Sequence, residues 1–149
     1  MALMRDRPYG NSNFLVTLGE EDSRSVTAGF AEVIFPRFTL DPGERQSVAT
    51  ASHADESAAA GASNRLILRR GLIGALDLYA WWNSVRKGDG AMRRAIKIDL
   101  LAEDRSTVVL TWHFFNVHPV TLSYSPLRAT EGGIVMESVE LAFERMEMS

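Results

Sequence analysis

The second half of the chain alternates apolar and polar residues with a period of two, which is the pattern of half-buried β-strands. In segment 95–100, Ile96, Ile98 and Leu100 share one face of such a strand. Segment 108–115 carries apolar residues on both faces, which predicts a central strand covered on both sides. Because such strands must bury their apolar faces against another layer, this pattern predicts an antiparallel sheet folded into a barrel or sandwich.

Five further segments have the composition and the turn boundaries of strands. They lie at 13–18, 26–35, 65–70, 119–124 and 134–146. In the last of them, Val139, Leu141 and Phe143 alternate with other residues and are expected to point into the core. Glu140 and Glu144 fall on the opposite face, so we expect them to point outward.

One segment, 75–86, has helical rather than strand periodicity. Leu78, Trp82 and Val85 recur at i, i+4 and i+7, which places one apolar stripe against the core. Trp81 is rotated about 100° from Trp82 around the helix. We therefore expect Trp81 to be partly exposed and to mark a contact with another protein.

These elements follow one another as β-β-loop-β-α-β-β-β-β, and the helix is expected to stop at Gly88. The order predicts a mainly β fold, an antiparallel β-barrel or sandwich of six to seven strands with one flanking α-helix and a long flexible loop. The length of 149 residues fits a single domain over 1–149 with one core.

The loop, segment 41–63, differs in composition from the rest of the chain. It is rich in Ala and Ser, and Val48 is its one large apolar residue. Such a segment cannot bury enough apolar surface to order itself on a lone subunit. It is either a surface insertion or a segment that orders against a neighbouring subunit. In the second case the candidate inter-subunit contacts are Asp41, Glu44, Arg45 and Val48.

Composition narrows the classes of function. Hydrophobic residues make up 46% of the chain and charged residues 23%, which suits a folded globular protein rather than a disordered one. The formal net charge of -3 argues against a nucleic-acid binder with a broad basic face. The chain has no cysteine, which excludes disulfides and thiolate metal sites. It begins without the apolar region of a signal peptide and has no run long enough for a membrane helix, so we expect a soluble protein made in the cytoplasm, without stable membrane insertion.

The residue types that catalyse reactions or bind metals form no recognisable site in the sequence. His113 and His118 are five residues apart around a strand end, so they do not share a strand face as paired ligands would. His53, close to Asp55 and Glu56, lies in the Ala/Ser-rich loop, where nothing fixes ligand geometry. No nucleophile elbow, Walker loop or dinucleotide fingerprint is present. We therefore predict no catalytic residue, no metal site and no cofactor.

Five motifs follow one another along nearly the whole chain. They are Arg7-Pro-Tyr-Gly-Asn-Ser-Asn-Phe-Leu-Val16, Ala28-Gly-Phe-Ala-Glu-Val33, Leu68-Arg-Arg-Gly71 followed by Leu78-Tyr-Ala-Trp-Trp-Asn83, Trp112-His-Phe-Phe-Asn-Val-His-Pro-Val120 and Glu137-Ser-Val-Glu-Leu-Ala142. In this order they resemble the tail-tube protein family of contractile phages and extracellular contractile injection systems. One departure is the loop at 41–63, which in the family is usually richer in Lys, Gly and Pro.

The resemblance implies a β-barrel that assembles into hexameric rings, which stack into a hollow inner tube inside a contractile sheath. The partners it implies are copies of the chain itself, the sheath protein, and baseplate, spike and cap proteins, with cargo in the lumen as a further option. The implied localisation is cytoplasmic assembly into a phage-tail-like particle, delivered outside the cell or into a target on contraction. The departure in the loop leaves open whether the subunit belongs to the main tube or to a baseplate-proximal or terminal ring.

Arg69 and Arg70 stand side by side at the end of the third predicted strand. They form either a solvent-exposed charge pair or one half of an inter-subunit salt bridge to an outward carboxylate such as Glu140 or Glu144. Closing a ring also requires free strand edges, for which the strands near both termini are the candidates.

Two other functions fit the same pattern of elements. A secreted Hcp-like ring protein that carries effectors would share the fold, and neighbouring sheath and baseplate genes would separate it from a tail-tube subunit. A small-ligand-binding or enzymatic β-barrel would place Trp112, His113 and Tyr124 around a pocket, and would stay a monomer or dimer.

Overall fold

The computed structural model describes residues 2–19, 29–40, 64–88 and 93–149. In these ranges the chain forms seven strands and one helix: β1 (Phe14–Leu18), β2 (Glu32–Ile34), β3 (Arg65–Gly71), α1 (Asp77–Arg86), β4 (Arg94–Leu101), β5 (Val108–Tyr124), β6 (Met136–Ala142) and β7 (Arg145–Met148). All strand pairs are antiparallel, which confirms the predicted fold class. The candidate contacts Asp41, Glu44, Arg45 and Val48, with the rest of 41–63, lie outside the described residues.

β5 is the central strand of the sheet, whose order is β1-β4-β5-β6-β3-β2 with β7 also paired to β5. Its first half pairs with β4, and its second half, from His118, pairs with β6. Two strands were predicted here, at 108–115 and 119–124, but the chain continues through Asn116, which has a φ of 54°. The register shifts just after Pro119. A proline has no N–H to donate to the ladder, and the strand accommodates it as an irregularity instead of ending.

The last predicted strand, 134–146, is two strands in the structure. β6 pairs with the second half of β5, whereas β7 pairs with part of the first half, with Arg145 opposite Phe115. Between β6 and β7, the N–H of Glu144 donates to the carbonyl of Phe115 at 3.0 Å. The break therefore falls beside Asn116, where β5 passes from the sheet it shares with β4 to the sheet it shares with β6.

The core lies between the inward faces of these strands. β3 and β6 alternate strictly, so every second residue, including Leu68 and Val139, is fully buried. The remaining apolar core side chains are Val16, Leu18, Phe30, Leu66, Leu78, Trp81, Ile96, Ile98, Phe114, Val117, Leu141 and Phe143. The inward positions predicted in β4 and in the last strand are confirmed, except that a register shift after Leu100 leaves it partly buried and buries Leu101 instead.

Helix α1 packs on β5 with a different face from the predicted one. Leu78 and Trp81 are both 1% exposed, whereas Trp82 is only partly buried. The prediction that Trp81 is exposed while Trp82 lies in the core is therefore wrong. Spacings of three and of four residues both fall on one helix face, so the pattern allowed either tryptophan to point inward. Trp82 instead donates its indole N–H to the carbonyl of Val120 at 3.2 Å, beside the sheet.

The ends of α1 follow simple local rules. The helix begins at Asp77, two residues later than predicted. It ends as predicted before Gly88, which has a φ of 92° and donates its N–H to the carbonyl of Val85 at 3.0 Å. Because left-handed backbone is unfavourable for residues with a Cβ, glycine is the expected residue at this stop.

Candidate functional site

The sheet leaves free edges, which are the first requirement for pairing between copies. β1 and β2 end the strand order, and within the described ranges their outer edges have no partner strand. Residues of both strands line one groove of about 390 Å³, which we call the seam. The seam is lined by Asn11, Phe14, Ala31, Glu32, Val33, Phe35, Ile98, Leu100 and Trp112. Among the described residues the barrel is therefore open between β1 and β2, and open edges of this kind can pair with strands of another chain.

Arg69 lies on the outward face of β3, close to the seam. Its Nη1 donates to Oε1 of Glu32 on β2 at 3.1 Å, and its Nε donates to Oγ of Ser138 on β6 at 3.1 Å. Both side chains of the Arg69–Glu32 pair are about half exposed. Arg69 thus has partners within the chain, and its predicted salt bridge to another subunit stays a prediction.

Arg70 is buried, with 4% of its surface exposed. Its Nε donates to Oε1 of Glu137 on β6 at 2.8 Å, and its Nη1 and Nη2 both donate to the carboxylate of Asp77 at the start of α1. The guanidinium carbon also lies 5.3 Å from the ring centre of Phe30. The prediction that Arg70 is solvent-exposed or bridges to another subunit is therefore wrong. We call Arg70, Asp77 and Glu137 the buried ion cluster after the buried Arg70–Glu137 pair at its centre; the Asp77 side chain is 41% exposed. The cluster joins β3, α1 and β6 within one chain.

The period of the strands already contained the signal for this cluster. Arg70 lies two residues after Leu68, and Glu137 lies two residues before Val139, so both share the inward face of their strands. The register then pairs Arg70 directly with Glu137. Because neighbouring strand residues point to opposite faces, Arg69 points outward and Arg70 points into the core, and the two do not act as one charged pair.

Within the buried ion cluster, the contacts shift the pKa values of Arg70 and Asp77. Burial alone would lower the pKa of Arg70, but its hydrogen bonds to Asp77 and Glu137 outweigh burial and raise it. Burial alone would raise the pKa of Asp77, but the hydrogen bond and positive charge of Arg70 outweigh it and lower this pKa. Burial and the negative charge of Glu137 raise the pKa of the neighbouring Tyr124. Arg70 and Asp77 are therefore held in their charged forms at neutral pH.

Glu140 and Glu144 have the outward orientation that the sequence predicted. The carboxylate of Glu144 accepts hydrogen bonds from Nδ2 of Asn116 and Nη1 of Arg93, each at 2.7 Å, and these lower its pKa. Glu140 is partly buried on β6, opposite Ile67 of β3. Participation of either carboxylate in contacts between subunits stays a prediction.

A group of exposed apolar side chains lies on the connection between β3 and α1 and on the loop between β5 and β6. Ile73, Leu76, Leu127 and Ile134 are 81%, 70%, 82% and 78% exposed. We call these four residues the end patch. The strand and helix periods did not predict that these residues are exposed. The available signal was segment 72–76, which is apolar but has neither the period of a strand nor that of an amphipathic helix. Exposed apolar residues that cluster in this way mark contact surfaces.

The residues of the rival ligand-binding hypothesis do not surround one pocket. Trp112 lines the seam. His113 follows it on the other face of β5, with Nε2 at 3.3 Å from Oγ of Ser149. Tyr124 lies at the far end of β5, opposite Glu137. The three side chains are therefore on different faces and at different ends of the strand.

Among the residues that the structure describes, no group of three His, Asp or Glu side chains is arranged so that it could hold a metal ion. In the same part of the chain, α1 is the one helix, and it is too short to cross a bilayer.

The N-terminal segment is attached to the β4–β5 turn through Arg5. Its Nη1 and Nη2 donate to the two carboxylate oxygens of Glu103 at 2.9 and 2.7 Å. The hydrogen bond from Arg5 lowers the pKa of Glu103 to about 2. We expect Arg5→Met to return this pKa toward its ordinary value near 4.5, measured by NMR titration of the side-chain carboxyl carbon.

Asp104 is the matched control, because its pKa of about 2 depends on hydrogen bonds from Thr107 and Ser106. Arg5 stabilises the ionised form of Glu103 in the folded chain only. Its contribution is therefore present above pH 4.5 and is lost as the pH falls toward 2, so the variant should lose less stability over that interval. A Glu103 titration that is unchanged in Arg5→Met would contradict the role of Arg5.

Solved structures with the same fold come from contractile injection systems. One chain of the sheath-tube complex of PVC, an extracellular contractile injection system, in its extended state is 22% identical to this chain. The TM-score is 0.70, and the match covers 95% of this chain and 91% of that chain. The tube-terminating cap of the anti-feeding prophage, AFP, has 18% identity and a TM-score of 0.70, covering 100% of this chain and 95% of that chain. At these identities the likeness shows a shared fold.

A more distant likeness joins this fold to Hcp. Hcp1 from Flavobacterium johnsoniae has 11% identity and a TM-score of 0.54, covering 91% of this chain and 94% of that chain. No curated protein matches the sequence significantly. The family model for the T4-like virus tail tube protein gp19, however, matches residues 10–147, which confirms the resemblance carried by the sequence motifs. With nearly its whole length matched, the chain belongs to the T4-like virus tail tube protein gp19 family.

Proposed function

We propose that this chain is the structural inner-tube subunit of a phage-tail-like contractile injection system. Copies of the chain form hexameric rings, the rings stack into a hollow tube, and a contractile sheath encloses the tube. The subunit is a single tail-tube domain over 1–149, and its role is assembly rather than catalysis.

The family match over residues 10–147 is the observation that carries this proposal. Two solved structures of the same fold support it, since one is a complex of sheath and tube and another is a tube-terminating cap. By the same reasoning, the partners of this chain are its own copies, a sheath protein, and cap, baseplate and spike proteins. The chain assembles in the cytoplasm and acts as part of a particle delivered outside the cell.

The free strand edges fit the geometry of a ring. A ring of identical subunits uses two different surfaces of each copy, joined head to tail until the ring closes. The open seam offers one such surface, because β1 and β2 each present an edge that an incoming strand can pair with. The segment 41–63 adds a contact to the next ring, with Asp41, Glu44, Arg45 and Val48 as its proposed contact residues.

Electron microscopy of the purified chain over a range of concentrations tests the proposal. We expect six-fold rings at low concentration and stacked hollow tubes at high concentration, because each added copy satisfies edges left open on the last. Met4→Arg is a matched control, since Met4 is 99% exposed and lies outside the seam and the end patch, so its variant should assemble normally. A chain that stays monomeric at high concentration would contradict the proposal.

The Hcp-like alternative is favoured by one observation, the shared fold with Hcp1. It also predicts rings, so the microscopy must be joined to a test of the sheath. Co-expression with a sheath protein from the same genome should give sheathed tubes if the chain is an inner-tube subunit. Rings that remain bare, and that are exported singly with a bound effector, would favour the alternative.

A further inference from the structure

The strand register places the ends of three strands together at one end of the barrel. Gly71, the last residue of β3, is opposite Met136, the first residue of β6. Tyr124, the last residue of β5, is opposite the second residue of β6. Helix α1 begins at this end too, because Asp77 in its first turn binds Arg70. The end patch, which lies on the two connections leaving these strands, therefore covers one end of the barrel.

The two halves of the end patch belong to one continuous surface. The N–H of Leu72 donates to the carbonyl of Val135 at 2.8 Å, which joins the β3–α1 connection to the β5–β6 loop. A Cβ placed on Gly71 would lie 3.6 Å from Cγ2 of Ile134, so the loop rests on the end of β3. In the loop, Arg128 and Glu131 form an ion pair at 3.2 Å, so they bring no unpaired charge to the surface.

A second exposed apolar surface lies at the opposite end of the barrel. β2 runs antiparallel to β3, so the chain leaves β2 toward the Arg65 end of β3. Phe38 reaches that end, since its ring centre is 6.2 Å from that of Phe143, whose N–H donates to the carbonyl of Asn64 at 3.3 Å. Phe38 is 49% exposed and Leu40 is 82% exposed. We call these two residues the opposite-end surface.

We infer that the end patch of one copy docks onto the opposite-end surface of a second copy, so that barrels stack head to tail. This contact rests on the proposed function and names the surfaces that join successive rings. A second copy of the chain is the partner that fits the end patch. Repeating this one contact covers both apolar ends of every subunit, except at the two ends of the tube. A heterologous contact between the two opposite ends of the barrel repeats in one direction, so it extends into a filament instead of closing into a ring.

Two variants and their mixture test the contact. Leu127→Arg/Ile134→Arg blocks the end patch, and Leu40→Arg blocks the opposite-end surface. Each variant alone should form rings but should raise the concentration needed for tubes at least about tenfold, since an unpaired charge would be buried in an apolar contact. Preformed rings of the two variants, mixed in equal amounts, should form pairs of rings and nothing longer, because each ring keeps one working end.

Several outcomes would overturn the contact. Normal tubes from either variant, or a mixture that gives only single rings or gives long tubes, would each exclude it. Circular dichroism and thermal melting must show that the arginine variants fold. If one of them does not fold, the corresponding serine variant takes its place: Leu127→Ser/Ile134→Ser for the end patch or Leu40→Ser for the opposite-end surface. The Met4→Arg control should still form tubes. A wild-type chain that forms no rings overturns the proposed function and this contact with it, whereas tubes that persist in the variants overturn the contact alone.

Discussion

Replacement of Arg70 by methionine is expected to lower the free energy of unfolding by about 3–5 kcal/mol, the usual cost of removing one partner from a buried ion pair. Glu137 is only 1% exposed, so its carboxylate would stay buried without a cation. Methionine keeps much of the aliphatic length, so the loss reports the missing charge rather than a large cavity. Urea denaturation at one fixed protein concentration measures it, since assembly would otherwise add to the apparent stability.

Arg69→Met is the matched control, one residue away on the same strand. The Arg69–Glu32 pair is about half exposed on both sides, so its loss should cost at most about 1 kcal/mol. The double variant Arg70→Met/Glu137→Leu should recover much of the loss, because the fully buried carboxylate is then gone and the Asp77 side chain, 41% exposed, can be solvated by water. Equal effects of Arg69→Met and Arg70→Met would contradict the burial of Arg70.

The same substitution should change how stability depends on acid. The pKa of Asp77 is lowered in the folded chain, because the hydrogen bond and charge of Arg70 outweigh the effect of burial. Its contribution is therefore present above the ordinary pKa of an aspartate, about 4, and is lost as the pH falls through the lowered value. Without Arg70 the pKa of Asp77 should rise, so the Arg70→Met variant should lose less stability than the native chain on acidification.

The strand pattern of this sequence was sufficient to predict the layers of the fold. Period-two alternation identified the inward residues of β4 and β6, such as Ile98 and Leu141, because burial selects apolar residues at every second position. The boundaries of the strands were harder to predict from the sequence. The merging of two predicted strands into β5 depends on how the chain passes Asn116 and Pro119, which is decided by pairing with β4 and β6 rather than by local composition.

The contact surfaces were the least predictable part of the molecule. Periodicity reports which residues a single chain buries, and it does not report which exposed residues come together from distant segments. Ile73 and Ile134 are far apart in sequence, and the hydrogen bond between Leu72 and Val135 that joins their segments is a property of the folded backbone. The motifs of the tail-tube family predicted assembly, but they could not indicate which end of the barrel is apolar.

The two adjacent tryptophans of α1 provide the sharpest test of the packing. Trp81→Ala should lower the free energy of unfolding by about 3–5 kcal/mol, because a large, fully buried side chain is lost and a cavity remains. Trp81 is 1% exposed, and the guanidinium carbon of Arg94 lies 4.6 Å from its ring centre. Trp82→Ala should cost at most about 2 kcal/mol, since Trp82 is only partly buried and makes one hydrogen bond, to Val120.

Urea denaturation of both variants, at the same protein concentration, decides between two packings of one helix. If Trp82→Ala is the more damaging change, the stripe of Leu78, Trp82 and Val85 faces the core and α1 is rotated relative to β5. If Trp81→Ala is the more damaging change, Leu78 and Trp81 pack the helix against the core, and Trp82 lies where the helix borders β5. The first turn of the same helix holds Asp77, which binds Arg70, and Leu76 of the end patch directly precedes it. The orientation of this helix therefore determines where the end patch is presented to a neighbouring copy.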